Sequence, residues 1–210
     1  MNININILKA GGNLKKIEDT IEGAARKAVV SVSKKIPVEN VDIVFFDSKF
    51  QTIEHIGFGG YTVTKNLIMV PVDSKFDSID KSIKENLGRT IAHELYHCLK
   101  DYTYENKFTL LESLVNEGLA DHFETEISGG IPEKWDTALN QQQLISLGKR
   151  AKEEFNSYEF DHSAWFFGTK KDIPYWAGYS LGFDIVKKYL EKHPEKKAST
   201  SYEVPIQDFI

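Results

Sequence analysis

The chain has 210 residues, enough for one large domain or two closely packed lobes. Its composition, 41% hydrophobic and 27% charged, is that of a folded globular protein, and no apolar run approaches the roughly 20 residues that span a bilayer. A net charge of −5, with no basic patch interleaved with aromatics, argues against a nucleic-acid partner.

Residues 2–8 alternate asparagine and isoleucine, and a period of two predicts a strand with one buried face. Leu14, Ile17, Ile21, Ala24, Ala25, Ala28, Val29, Val32 and Ile36 then recur at helical spacing. Asn13 is the expected N-cap, and Pro37 lies just past the end. Residues 41–46 predict a short apolar strand at the centre of a sheet. Strand, helix and strand imply a right-handed parallel crossover. The run His55-Ile56-Gly57-Phe58-Gly59-Gly60-Tyr61 follows. Three glycines in four residues permit unusual backbone angles and close approach by another chain. The run reads either as a simple loop or, at Gly57, Phe58, Gly59, Gly60 and Tyr61, as a sheet edge that pairs with an extended peptide. The turn Thr64-Lys65-Asn66 leads into a further strand over 67–72.

Residues 79–100 predict a helix, capped by Asp77 or Ser78. It contains His93-Glu94-Leu95-Tyr96-His97, an H-E-x-x-H sequence. Positions four apart share a helix face, so His93 and His97 can grip one metal ion. Glu94, turned by about 100°, stands beside that ion, where a general base for metal-bound water belongs. The competing reading is two partly buried histidines satisfied by ordinary hydrogen bonds. Cys98, the sole cysteine, excludes an internal disulfide and suits a reducing compartment. It points away from the histidine face and reads as a small buried residue rather than a ligand. The first residues lack a basic region, apolar core and cleavage site, so the expected location is cytoplasmic.

Residues 101–107 predict a loop. A second helix covers 109–127, with Leu110, Leu111, Leu114, Val115, Leu119 and Phe123 as anchors and Gly129-Gly130 as its stop. Further helices are expected over 135–155 and 178–192. Between them, 156–176 is irregular but too rich in aromatic rings to be disordered, and the tail 196–210 docks at most a short turn. A catalytic zinc takes three protein ligands and a water. Asp101 continues the i, i+4 series, but eight residues is about 12 Å of helix rise from His93. The longer pattern H-E-x-x-H-x-x-G-x-x-H fails, with Lys100 and Thr103 in place of its glycine and third histidine. The next helix is better placed, because a short loop makes the two helices antiparallel neighbours. Glu117 and Asp121 share a face there. Glu117 is the expected ligand, Asp121 the partner of a ligand histidine, and Glu124 the reserve ligand. The competing reading is a solvated acidic face.

H-E-x-x-H followed by N-E-x-x-x-D, at Asn116, Glu117 and Asp121, resembles the gluzincin metallopeptidases, the thermolysin-like group. It is more similar to the bacterial predicted zinc-dependent proteases known as domain-of-unknown-function family 2268. The resemblance rests on the Gly57–Tyr61 run, HELYH, EGLADHF over 117–123, Trp165-Phe166-Phe167-Gly168 and Gly178-Tyr179-Ser180-Leu181-Gly182, in an order spanning about 53–190. It implies peptide hydrolysis and an α+β, zincin-like fold in one domain. A small mixed N-terminal sheet (1–76) would pack on the motif helix, followed by a mainly helical lobe (77–210).

One zinc ion would be held by His93, His97 and Glu117, with Glu94 as general base. The downstream histidine motif of thermolysin-like enzymes is not evident. Tyr179, in GYSLG, is therefore the candidate donor to the oxyanion, and His162 its rival. His55, His122 and His193 read as structural or surface residues, and Trp165, Phe166 and Phe167 as core. The expected partner is a peptide or protein substrate, with no nucleic acid and no membrane. A second reading is a zincin-fold regulatory or interaction module that binds zinc with little or no protease activity. A third is a helix pair with no metal. Retention of Glu94 favours the enzyme, since a purely structural site needs no base.

Overall fold

A computed structural model describes residues 2–210. Among the described residues are four strands and six α-helices, an α+β architecture. The chain divides into two compact units, Met1–Glu105 and Asn106–Ile210. The motif helix falls within the first of these units.

The first unit contains β1 (Ile3–Ile7), α1 (Glu18–Ser33), β2 (Val41–Asp47), β3 (Tyr61–Thr64), β4 (Leu67–Val72) and α2 (Ile79–Lys100). The sheet order is β1-β2-β4-β3, so β2 is internal, as its apolar run predicts. β1 and β4 run parallel to β2, and β3 runs antiparallel to β4. Register pairs Ile5 with Ile43 and Phe45 with Val70, which lines apolar side chains along one face. On the other face Asn4 Nδ2 donates to Asp42 Oδ1 at 2.8 Å. Ile43, Phe45, Ile68 and Val70 are fully buried, with Ile21 and Val32 from α1 and Leu87, Ile91 and Leu95 from α2. Each such side chain contributes about 1.5–3 kcal/mol by leaving water.

Three local expectations are corrected here. Asn13 does not cap α1: residues Asn13–Lys16 form a 3-10 turn, and the Asn13 amide donates to Asp47 Oδ2 at 2.6 Å. Ser78 precedes α2 in a left-handed conformation, φ 58°, and makes no side-chain capping bond. β3 has no counterpart among the predicted strands.

The second unit contains α3 (Leu110–Ser128), α4 (Gln141–Glu154), α5 (His162–Phe167) and α6 (Ala177–Lys192). Thr109 caps α3 reciprocally with Glu112, and Gly129, φ 103°, ends it. The helix expected over 135–155 starts only at Gln141, because Asn140 and Gln143 form their own capping box. Residues 135–139 are instead clipped to α6 by Ser180. Its hydroxyl donates to Trp135 O at 2.7 Å and accepts from Ala138 N at 3.0 Å. The stretch expected to be irregular holds α5, capped by Asp161 and stopped by Gly168, φ 57°.

α3 and α6 cross at near-zero side-chain thickness. A Cβ on Gly118 would lie 2.2 Å from Gly182 O, and one on Gly182 would lie 2.1 Å from Leu114 O. The tail forms two 3-10 turns, Ala198–Thr200 and Ile206–Phe209. Glu126 accepts from Ser199 N and Oγ, and Phe209 is buried beside Tyr189. Among the described residues, no helix is long and apolar enough to cross a membrane.

Candidate metal centre

α2 is amphipathic in an unusual way, since its inner face carries chemistry as well as core. Leu87, Ile91 and Leu95 are fully buried, and within the same run Glu94 is 6% exposed and His97 5%. His93 is half-buried. The two imidazoles stand edge to face, and their Nε2 atoms lie 2.9 Å apart. Two histidines on one tetrahedral zinc, at about 2.0–2.1 Å each, place their nitrogens roughly 3.3 Å apart. The helix thus already holds the pair close to a shared-ion spacing, and the donor types suit zinc. The Tyr102 ring lies 4.9 Å from that of His97, and Tyr102 N donates to His97 O at 3.0 Å.

Glu94 is turned off the histidine pair, toward β3. Thr62 Oγ1 lies 2.8 Å from Glu94 Oε2 and 3.1 Å from Glu94 O. Gly60 comes equally close, since a Cβ there would meet Glu94 Cγ at 2.8 Å and Oε1 at 3.1 Å. Each glycine in the 57–60 run thus has its own reason. Gly57 has φ 77° and lies against Phe76, Gly59 lies against Gln51 O, and Gly60 lies against Glu94. Phe58 is fully buried. Tyr61 opens β3 at the edge of the sheet and meets Tyr104 edge to face at 5.8 Å. Cys98 is buried, and burial, then the charge of Glu94, pushes its thiol up to about 12. It stays a neutral thiol at physiological pH.

On α3 the carboxyl groups are unusually deep. Asp121 is fully buried, Glu124 is 2% exposed and Glu117 8%. This is not the solvated acidic face that most helix carboxylates form. Asp121 Oδ1 accepts from Trp135 Nε1 at 3.2 Å. Asp136 joins the group, 4% exposed, with its Oδ2 accepting from Glu133 N at 2.6 Å. Burial, reinforced by the charges of Asp121 and Glu124, pushes the Asp136 carboxyl up to about 10. Neither Trp135 nor Asp136 stands out in the sequence, because their contacts with Asp121 join α3 to a loop with no motif of its own. The donors that each unit offers, the His93 and His97 imidazoles in the first and the Glu117, Asp121 and Glu124 carboxylates in the second, are of the types that bind zinc.

Tyr179 and His162 flank one ring. Tyr179 is half-buried in the first turn of α6 and meets Phe166 edge to face at 5.1 Å. His162, at the start of α5, stacks on Phe166 at 4.5 Å. Desolvation against these rings lowers the His162 pKa, opposed by the charges of Glu117 and Asp161. Trp165 and Phe166 lie in the core. Phe167, expected there too, is 44% exposed, because the six-residue helix leaves its last side chain on the outer face. His122 stacks on Phe183 at 3.9 Å, and its Nε2 lies 3.0 Å from Phe183 O. His55 is exposed, and His193 follows α6 beside Tyr189.

The sequence model of a family described as "Predicted Zn-dependent protease (DUF2268)" matches residues 21–210. The chain is also 33% identical over 134 residues, 60% of its length, to the "Uncharacterized protein YjaZ" of Bacillus subtilis (strain 168). It spans about half the length of that curated relative, 50%. No solved structure matches.

Proposed function

Because the chain belongs to this family of predicted zinc-dependent proteases, we propose that it is a zinc metallopeptidase of the gluzincin type with a zincin-like fold. The observation that carries the reading is the paired Nε2 atoms of His93 and His97, 2.9 Å apart on α2, with the buried Glu94 carboxylate beside them. His93, His97 and Glu117 would hold one zinc ion. When bound, zinc supplies a water of pKa near 7 and polarises the scissile carbonyl.

The chain's own residues do the rest. Glu94 accepts the water's proton and passes it to the nitrogen of the departing amine. Tyr179 donates from its phenol to the oxygen that becomes negative, with His162 as the alternative donor. Asp121 orients a ligand histidine. Of the segment Gly57, Phe58, Gly59, Gly60 and Tyr61, the first three have backbone groups already bonded to Asp73, Ile53 and Pro71, so Gly60 and Tyr61, leading into the edge strand β3, receive an extended peptide or protein substrate by backbone pairing. The setting is cytoplasmic, with neither nucleic acid nor membrane as partner.

The test measures zinc content and peptide hydrolysis together, in the parent and in Glu94→Gln and Glu117→Ala. Glu94→Gln keeps shape and hydrogen bonding but cannot take a proton at neutral pH. It should retain one zinc per chain and lose about 10²–10⁴-fold in hydrolysis. Glu117→Ala should lose zinc to a chelator far more readily than Glu124→Ala. Activity that vanishes in Glu94→Gln only because zinc is lost would make Glu94 a ligand. A zinc-loaded parent that cleaves nothing in a broad peptide library would favour a zinc-binding regulatory module instead.

A further inference from the structure

Glu94 has two carboxylate oxygens, and their surroundings differ. Oε2 lies 2.8 Å from the Thr62 hydroxyl. Oε1 faces the bare Cα of Gly60, at the place where a side chain would put its Cβ, 3.1 Å away. The hydroxyl has a single proton; its oxygen acceptors are Oε2 at 2.8 Å and Glu94 O at 3.1 Å, and the neutral Cys98 thiol also bonds to it. A carboxylate is the stronger acceptor and the nearer one, so the proton goes to Oε2. Thr62 is itself 4% exposed, on a four-residue strand where it pairs with Ile68 of β4, just before the register shifts at Thr64. The donor is therefore held in place by the sheet, not by a mobile loop.

We propose that Thr62 is the positioning residue of the general base: it ties down Oε2 of Glu94 and leaves Oε1, in the space kept open by Gly60, as the oxygen that takes the proton. The inference rests on the peptidase reading above and names the geometry of its base. The proton leaves the water oxygen for Oε1 as the carbon–oxygen bond forms. It leaves Oε1 for the amine nitrogen as the carbon–nitrogen bond breaks, so Glu94 ends unchanged. A carboxylate tied at one oxygen cannot swing, and the productive geometry needs no search at the moment of reaction.

Thr62→Val is nearly isosteric, β-branched and suited to a strand, and it removes only the hydroxyl. It should lower kcat by about 10–100-fold, as the loss of an orienting partner does, with KM and zinc content near those of the parent. Thr62→Ser restores the hydroxyl and should recover most of the lost turnover. Gly60→Ala places a methyl group against Glu94 Cγ, and it should also lower kcat while zinc stays bound. Glu94→Gln is measured alongside, and thermal midpoints are recorded for all.

A Thr62→Val protein that turns over like the parent, while Glu94→Gln does not, overturns the role of Thr62 and leaves the peptidase reading standing. If Thr62→Ser is as impaired as Thr62→Val, with a lower midpoint or lost zinc, Thr62 is a structural residue and the proposal fails. If Glu94→Gln keeps the parent's hydrolysis, or the parent has none, the peptidase reading falls and the proposal with it.

Discussion

At the scale of single residues, the proposed hydrolysis calls for a group that answers the negative charge on the carbonyl oxygen. Tyr179 and His162 both contact Phe166, one edge-on and one stacked. Gly178 makes this possible, because a Cβ there would lie 2.6 Å from the Phe166 ring. His162 is held below its ordinary pKa by desolvation, so at pH 7 it is a neutral imidazole and the weaker electrostatic donor. A phenol keeps its proton throughout the working range. Tyr179→Phe should therefore lower kcat by about 10²–10³-fold with little change in KM, since the bond strengthens only in the transition state. His162→Ala should act more weakly. Equal turnover in Tyr179→Phe and parent would pass the role to His162 or to a backbone amide.

At the scale of elements, the crossing of α3 and α6 is the packing feature with the least tolerance. Gly118 and Gly182 each face the other helix's backbone at a distance where no Cβ fits. Gly118 follows Glu117 directly, and Gly182 lies one turn from Tyr179 in α6. Separating the helices would thus shift a proposed ligand and a proposed oxyanion donor together. Gly118→Ala and Gly182→Ala should each destabilise by about 1–3 kcal/mol or more, against a helix propensity that alone favours alanine by about 1 kcal/mol. In a domain of this size that lowers the thermal midpoint by about 2–4 °C per kcal/mol. An unchanged or raised midpoint in a differential scan would mean the helices do not meet at these glycines.

The same scale shows what was legible beforehand. The long helices and the strand at 3–7 carry clear periods, the strands at 41–47 and 67–72 show as apolar runs, and the motif spacing places His93, Glu94 and His97 on one turn and a half of α2. Elements of four and six residues, β3 and α5, are too short for any period to register. The start of α4 is marked by Asn140 and Gln143, a capping signal that outweighs the helical pattern read from Trp135 onward. The contact of Thr62 with Glu94 spans 32 residues, and that of Trp135 with Asp121 spans 14. Both depend on tertiary structure, which a local pattern does not encode.

At the scale of the whole molecule, the buried carboxyl groups beside α3 set how stability responds to pH. Asp136 is the clearest case, its carboxyl raised from the ordinary 3.8 to about 10 by burial and by its acidic neighbours. Below the ordinary value the side chain is protonated in both folded and unfolded chains, and pH has no leverage through it. Between that value and about 10, the folded chain keeps the proton and the unfolded chain does not. Unfolding then releases a proton, so stability contributed by this group falls as pH rises through the window.

The slope for one proton is at most about 1.4 kcal/mol per pH unit. Asparagine reproduces the neutral acid: its carbonyl oxygen can accept from Glu133 N, as Asp136 Oδ2 does, and its amide can donate toward Asp121. Asp136→Asn should therefore be more stable than the parent at neutral pH, with the difference growing steadily from pH 5 to pH 9. Denaturant midpoints of both proteins, taken in chelator so that metal uptake adds no pH dependence of its own, measure this directly. If the two profiles run parallel across that range, Asp136 is ionised in the folded chain.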